Sequence, residues 1–195
     1  MLMAHSVRLF LAVAWLVGAS NADARRDDAA ACPDEGDPYD LRTRFVLTQR
    51  EHFTAALSEI RAGRKHGHWS WFVWPTPPHV VDGVELGSAM NRRHALRDGA
   101  DDTDGVAAAR AFLTFPRTTE GVGLRDNYLA MTTAIAERLE QPGASARALV
   151  GAADEPKLRS SLRLFARVSH GGFDGDVHEA CRRALRALGD DTGDE

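Results

Sequence analysis

The chain predicts a mainly α-helical fold, a single compact domain of about five to seven helices with extended loops. Two observations carry this. Several stretches place apolar residues at i, i+3, i+4 and i+7, so that one face of a helix is buried. Residues suited to starting and stopping helices stand at the ends of those stretches.

The helical domain is expected over residues 41–189. Thr48 and Glu51 have the spacing of a capping box, in which each side chain satisfies the other residue's free backbone N–H. The stripe Phe53, Ala56, Leu57 and Ile60 follows, and Gly63 is a left-handed stop. From Trp69 to Pro75 the run is apolar and too short for periodicity to assign. Pro75, Pro77 and Pro78 then predict an extended loop to about Gly87. Residues 98–105 read as an acidic surface loop, which lacks the final bidentate glutamate of a calcium loop.

A short helix over Val106–Phe115 is closed by Pro116. A longer one over Leu124–Leu139 sets Leu124, Tyr128, Met131, Ile135 and Leu139 on one face. Pro156 suits a first helical position, because its missing N–H would be unpaired there. That helix points Leu158, Leu162, Phe165 and Val168 inward and runs to Gly171. Asp176 and Glu179 open the last helix, Gly189 closes it, and residues 190–195 read as a disordered acidic tail.

Ahead of the domain, Arg8, the apolar run Leu9–Ala19 and the small residues around Ala22 and Ala24 read as a cleaved signal peptide over residues 1–24. This places the protein in the secretory pathway or outside the cell. The run is shorter than the twenty or so residues that span a bilayer, so no stable membrane span is expected after cleavage. Residues 25–40 are acidic, broken by prolines, and read as a disordered linker. A formal net charge of −4 argues against binding a nucleic-acid polymer by charge. For Cys32 and Cys181, a disulfide and a buried free thiol at Cys181 both remain open.

Residues 61–75 concentrate the chemistry: three of the four tryptophans, with Arg61, Arg64, Lys65, His66 and His68. Cationic heads beside aromatic faces suit a flat, negatively charged ligand. The same residues fit core tryptophans and a basic helix end, the more ordinary reading, in which Arg64 and Lys65 would be exposed. His66 and His68 lack a third ligand at recognisable spacing, His79 and His94 being the nearest, so neither metal nor cofactor is expected. Lys157 and Ser160 are adjacent on a helix but have no oxyanion-hole sequence beside them, and ordinary helix packing explains them.

Five segments together resemble the domain of unknown function 1810 family. They are Phe45–Gln49, Ala56–Lys65, His68-Trp-Ser-Trp-Phe-Val-Trp-Pro75, Leu86-Gly-Ser88, and Val150–Phe165 with its Asp154, Lys157 and Ser161. The resemblance implies a mainly helical domain without an established activity. The label calpastatin that members often carry finds no support in these residues, since no internal repeat is present. A more distant likeness to YbiA-like domains of NAD and ADP-ribose chemistry implies a nucleotide-like ligand. Thr76, His94, the inserted stretch before Leu86 and the signal peptide depart from the family pattern.

The functional expectation is a pocket that binds or hydrolyses a nucleotide-like or ADP-ribose-like molecule. Trp69 or Trp71 would stack on a base while Arg64 and Lys65 meet phosphates. Glu59 or Asp154 would be the acid or base. His68, Ser88 and Lys157 complete the ligand-binding set, and His68, Trp69, Trp71, Asp154 and Lys157 are expected to converge. The alternative is a non-catalytic protein-interaction domain with an exposed Trp/Arg cluster, its protein partner unknown.

Overall fold

Asp37 starts the helical structure. Its two carboxylate oxygens accept from Leu41 N–H and Arg42 N–H, each at 2.8 Å. The computed structural model describes residues 36–99, 102–119 and 121–190. The expected signal peptide, most of the linker, Cys32 and the tail beyond Asp190 lie outside the described residues.

The backbone first makes a π-helical turn, Arg42–Val46, in which Leu47 N–H reaches back to Arg42 O. It continues without a break into α1, Leu47–Arg61. This corrects two expectations. Thr48 lies inside a helix already under way, so the capping box does not form, and Asp37 supplies the first acceptors instead. Packed residues also precede Leu41, since Asp37 is buried and Tyr39 packs against the core. The stripe on α1 holds, with Ala56 and Ile60 buried and Phe53 and Leu57 packed beside them.

Next come α2, Ser70–Val73, and then a hairpin where a loop was expected. Strands β1, His79–Val81, and β2, Val84–Leu86, pair antiparallel with Val81 opposite Val84. Asp82 and Gly83 between them have φ of +50° and +76°. Two positive φ angles make the tight turn whose twist matches that of the strands, for which Asp-Gly is a preferred pair. Helix α3, Ala89–His94, is capped by Ser88, whose Oγ accepts from Asn91 N–H at 3.2 Å.

Four longer helices and one short one complete the domain: α4 (Val106–Thr114), α5 (Leu124–Leu139), α6 (Ala146–Val150), α7 (Glu155–Ser169) and α8 (Gly175–Ala187). Eight α-helices lie among the described residues, the five placed by periodicity together with the short α2, α3 and α6, and the mainly α-helical reading holds. The acidic loop has a structural use, since Asp98 accepts from Ala107 and Ala108 N–H at 2.8 and 2.7 Å and so caps α4. Asp174, not Asp176, caps α8. It accepts from Val177 N–H at 3.3 Å, and Arg125 donates to both its oxygens at 2.7 and 2.8 Å.

Helix α8 packs on α5 and α7, and α1 packs on α5. Their aromatic centre is a chain of rings. Phe112 meets Phe45 edge-on at 5.2 Å and Phe165 at 5.6 Å, and Tyr128 stacks on Phe165 at 4.0 Å. Cys181 is buried beside Tyr128, and burial pushes its thiol up to about 12, which leaves it unreactive. Gln49 is buried too, donating to Phe72 O at 2.6 Å and accepting from Asn127 at 2.8 Å, so it ties α1 to α2 and α5. Among the described residues no helix is long and apolar enough to cross a membrane.

Replacing Asp37 tests whether the first helix is anchored there. Asp37→Ala strands two N–H groups at the start of the first helix and is expected to lower the unfolding free energy by about 1–2 kcal/mol in a urea titration. Unchanged stability would mean that residues 37–40 do not belong to the folded unit.

Candidate functional site

Beyond α1 the chain turns sharply, and one carboxylate holds the turn. Glu59 Oε2 accepts from His66 N–H at 2.7 Å, Gly67 N–H at 2.9 Å and the Trp69 indole at 2.8 Å. A Cβ at Gly67 would stand 2.7 Å from the Trp69 ring and 3.1 Å from the Glu59 carboxylate, so the close wrap needs glycine. Desolvation opposes ionisation of Glu59, but the donors from His66, Gly67 and Trp69 outweigh it and hold the carboxyl below its usual range. Glu59 is thus a fastener for the 64–69 loop.

A second carboxylate joins this loop to α7. Lys65 Nζ lies 2.6 Å from Asp154 Oδ2, and Lys157 Nζ lies 3.0 Å from Asp154 Oδ1. Ser70 Oγ donates to the same Oδ1 at 3.1 Å. Lys65 also donates to Gly67 O at 2.6 Å, and its backbone N–H donates to Leu149 O at 2.7 Å. Its side chain is only 7% exposed. Here the structure corrects the sequence reading, in which Lys65 lay at an exposed helix end: Asp154 draws the ammonium inward. Burial opposes the charge on Asp154, yet the two ammonium groups dominate and its pKa falls. One carboxylate against two lysines leaves a net positive charge at this point.

Beside this cluster lies a cavity of about 280 Å³. Trp71, Trp74 and Thr76 form one wall, and Pro156, Lys157 and Ser160 from the first turns of α7 form another. The hairpin and α3 contribute His79, Glu85, Leu86, Asn91 and His94. Lys157 Nζ sits 5.3 Å from the Trp71 ring centroid, and the His68 ring stacks with that indole at 6.4 Å with a 20° tilt. Glu85 is paired with Arg97 at 2.6 Å. His94 is buried, and desolvation, with Arg44 and Arg93 nearby, lowers its pKa, so the imidazole is neutral at neutral pH.

The expected residues therefore divide. Trp71 and Lys157 line the cavity, Asp154 pairs with both Lys157 and Lys65, and His68 stacks with Trp71 but does not line the cavity. Trp69 is core, packed against Trp74 at 4.8 Å, with Lys65 over its ring at 5.1 Å. Arg64 is exposed, Ser88 is an exposed helix cap, and neither lines the cavity. Lys157 Nζ is engaged by Asp154, which argues against its service as a base for Ser160. Among the described residues the one trio with ligand atoms close enough for a metal is Asp98, Asp102 and Asp104, of which Asp98 already caps α4. Sequence reasoning did not place Asn91, Glu85 or Thr76 in the site, where they line the cavity. The Asp82-Gly83 pair was the signal that would have folded the hairpin back to form that wall.

The ion cluster implies a pH response. The depressed folded-state pKa values of Asp154 and Glu59 stabilise the fold above the ordinary carboxylate range, and that contribution is lost as pH falls through the folded values. Asp154→Asn is expected to cost about 3–5 kcal/mol at neutral pH by leaving the Lys65 ammonium buried without its partner. It should also flatten the fall of stability with acidification, read from denaturant titrations between neutral and acid pH. A parental profile in the variant would contradict this role for Asp154.

Comparison with known proteins extends the picture. The crystal structure of the conserved hypothetical protein Rv1873 from Mycobacterium tuberculosis is similar to this chain. The two are 28% identical with a TM-score of 0.58, over 77% of this chain and 87% of that one. No curated protein matches. The family described as Protein of unknown function (DUF1810) matches residues 38–186, from just after Asp37 to the last turn of α8, and the chain belongs to that family.

Proposed function

We propose that this is a small-molecule-binding domain whose ligand is nucleotide-like and sits in the cavity between the tryptophan segment, the hairpin and α7. The observation that carries the reading is the wall in which Trp71, Trp74 and Pro156 adjoin the Lys157 ammonium. Such walls offer stacking surface to a flat ring and a charge to an anionic group, with a few polar groups to fix orientation. The surplus positive charge of the Lys65–Asp154–Lys157 cluster and the N-terminal end of α7 both favour an anion there.

Binding is better supported than hydrolysis. Glycosidic cleavage by a general acid calls for a carboxyl with a raised pKa. Glu59 and Asp154 are shifted the opposite way, and every donor around them stabilises the charged form. A second reading, protein interaction, is favoured by a different feature from the one the sequence suggested. Trp69 and Trp74 are buried, whereas Val80, Val81, Val84, Leu86 and Met90 on and beside the hairpin are exposed. The proposal also includes export, supported by the apolar run Leu9–Ala19 and the small residues before Arg25.

Calorimetric titration of the mature chain with adenosine 5′-monophosphate tests the binding reading. Lys157→Ala is expected to weaken binding by about 1.5–3 kcal/mol, the scale of a hydrogen bond to a charged group. Arg64→Ala should bind within about 0.5 kcal/mol of the parent, as an exposed substitution outside the cavity. Equal affinity in the Lys157 variant would remove the cavity as the anion site.

A further inference from the structure

Five of the seven large apolar side chains exposed among the described residues lie on the hairpin or in the first turn of α3: Val80, Val81, Val84, Leu86 and Met90. Val84 is the most open, at 60%. Residues opposite one another in an antiparallel pair share a face, and neighbours along a strand alternate. Val81, Val84 and Leu86 therefore lie on one side of the hairpin with His79, and Val80 lies on the other with Glu85. Apolar side chains exposed together, rather than scattered singly, mark an interaction surface.

The backbone sets the geometry of the contact. The sheet has two strands, so each keeps one unpaired edge. Residues flanking a two-residue turn exchange both their hydrogen bonds, and bonded and non-bonded pairs alternate from there. Val81 thus exchanges with Val84 and His79 with Leu86. This directs the N–H and C=O of Val80 outward from β1, and those of Glu85 outward from β2. The two edges differ in what they tolerate. A two-fold axis at the β2 edge would set Glu85 opposite its own copy, and like charges in direct opposition are destabilising. The same axis at β1 sets one uncharged β-branched Val80 opposite the other, each offering one donor and one acceptor. Strand β1 carries no Asp, Glu, Lys or Arg of the kind that commonly blunts a free edge. Pro77 and Pro78 before it and the turn after it confine the pairing to a few residues, which fits a weak association.

We infer that the β1 edge docks a second copy of this chain, the two hairpins forming one four-stranded antiparallel sheet about a two-fold axis between the two Val80 residues. Antiparallel pairing there places Val81, Val84 and Leu86 of both copies on the same side of the sheet. A two-stranded ribbon is marginal by itself, and further strands with a shared apolar face strengthen it. The inference takes up the protein-interaction reading of this surface. It is independent of the ligand reading, since Val80 does not line the cavity.

Sedimentation velocity of the mature chain, from low micromolar to submillimolar concentration, tests this, and a monomer–dimer equilibrium is expected. Val80→Lys sets two ammonium groups in opposition and should weaken the dimer at least about tenfold. Because the side chain is exposed, the variant should keep the parental melting temperature where the parent is monomeric. Phe173→Lys, the same change at an exposed apolar side chain between α7 and α8, should leave the equilibrium as in the parent. Amide hydrogen exchange needs no variant and decides the matter if Val80→Lys fails to fold. Exchange at Val80 should slow as concentration rises, and exchange at Glu85 should not. A monomer at every concentration would overturn the inference and return the hairpin surface to a different protein. A dimer that Val80→Lys does not weaken, or one that protects Glu85 rather than Val80, would overturn it equally.

Discussion

Asp154 joins two stretches of chain that are far apart in sequence, Ser70 being 84 residues away from it. It accepts from Lys65, Lys157 and Ser70 at once, with little exposure to water. Drawing charged groups out of water is expensive unless each is paired and bonded. The arrangement meets that condition only when the 64–70 loop and the first turn of α7 are both in place. Trp71 follows that loop and Lys157 lies in that turn, so the pairing fixes two walls of the cavity relative to one another. Glu59 does the same job on a smaller scale within the loop, where its Oε2 serves three donors.

Much of the helical frame was legible from periodicity. Leu124–Leu139 has the bounds that its apolar face and its glutamine-proline-glycine stop suggest, and Pro156 sits in the first turn of α7. The starts were harder to read. Asp37 and Asp174 lie in stretches rich in acidic residues, where several carboxylates compete as caps, and only the folded backbone shows which one the free N–H groups reach. The capping-box spacing at Thr48 and Glu51 was a local pattern overridden by the π-helical entry that buries Phe45 and Val46.

The site was legible in its parts but not in its assembly. That Trp71, Asp154 and Lys157 come together agrees with the presence of polar groups in two otherwise apolar segments. Which of the charges remain available was not readable. Lys65 and Arg64 are neighbours in sequence, yet one is buried in an ion cluster and the other is exposed. Likewise three tryptophans within six residues divide between the core and a cavity wall, because α2 is too short to present them on one face. The hairpin wall was missed for another reason. Its strands are short and mostly exposed, and the sequences His-Val-Val and Val-Glu-Leu are too brief to show the alternation that marks a half-buried strand.

The account makes Lys65 and Asp154 a single energetic unit on which the cavity depends. A double-mutant cycle with Lys65→Met and Asp154→Asn, read as unfolding free energy at neutral pH, measures that unit directly. Each single change should leave a partner buried and be strongly destabilising, while the double variant should be markedly more stable than the sum of the two losses predicts. The coupling energy is expected to exceed about 1 kcal/mol. Losses that add to within about 0.5 kcal/mol would show that the two residues act independently and that Asp154 does not hold the two segments together.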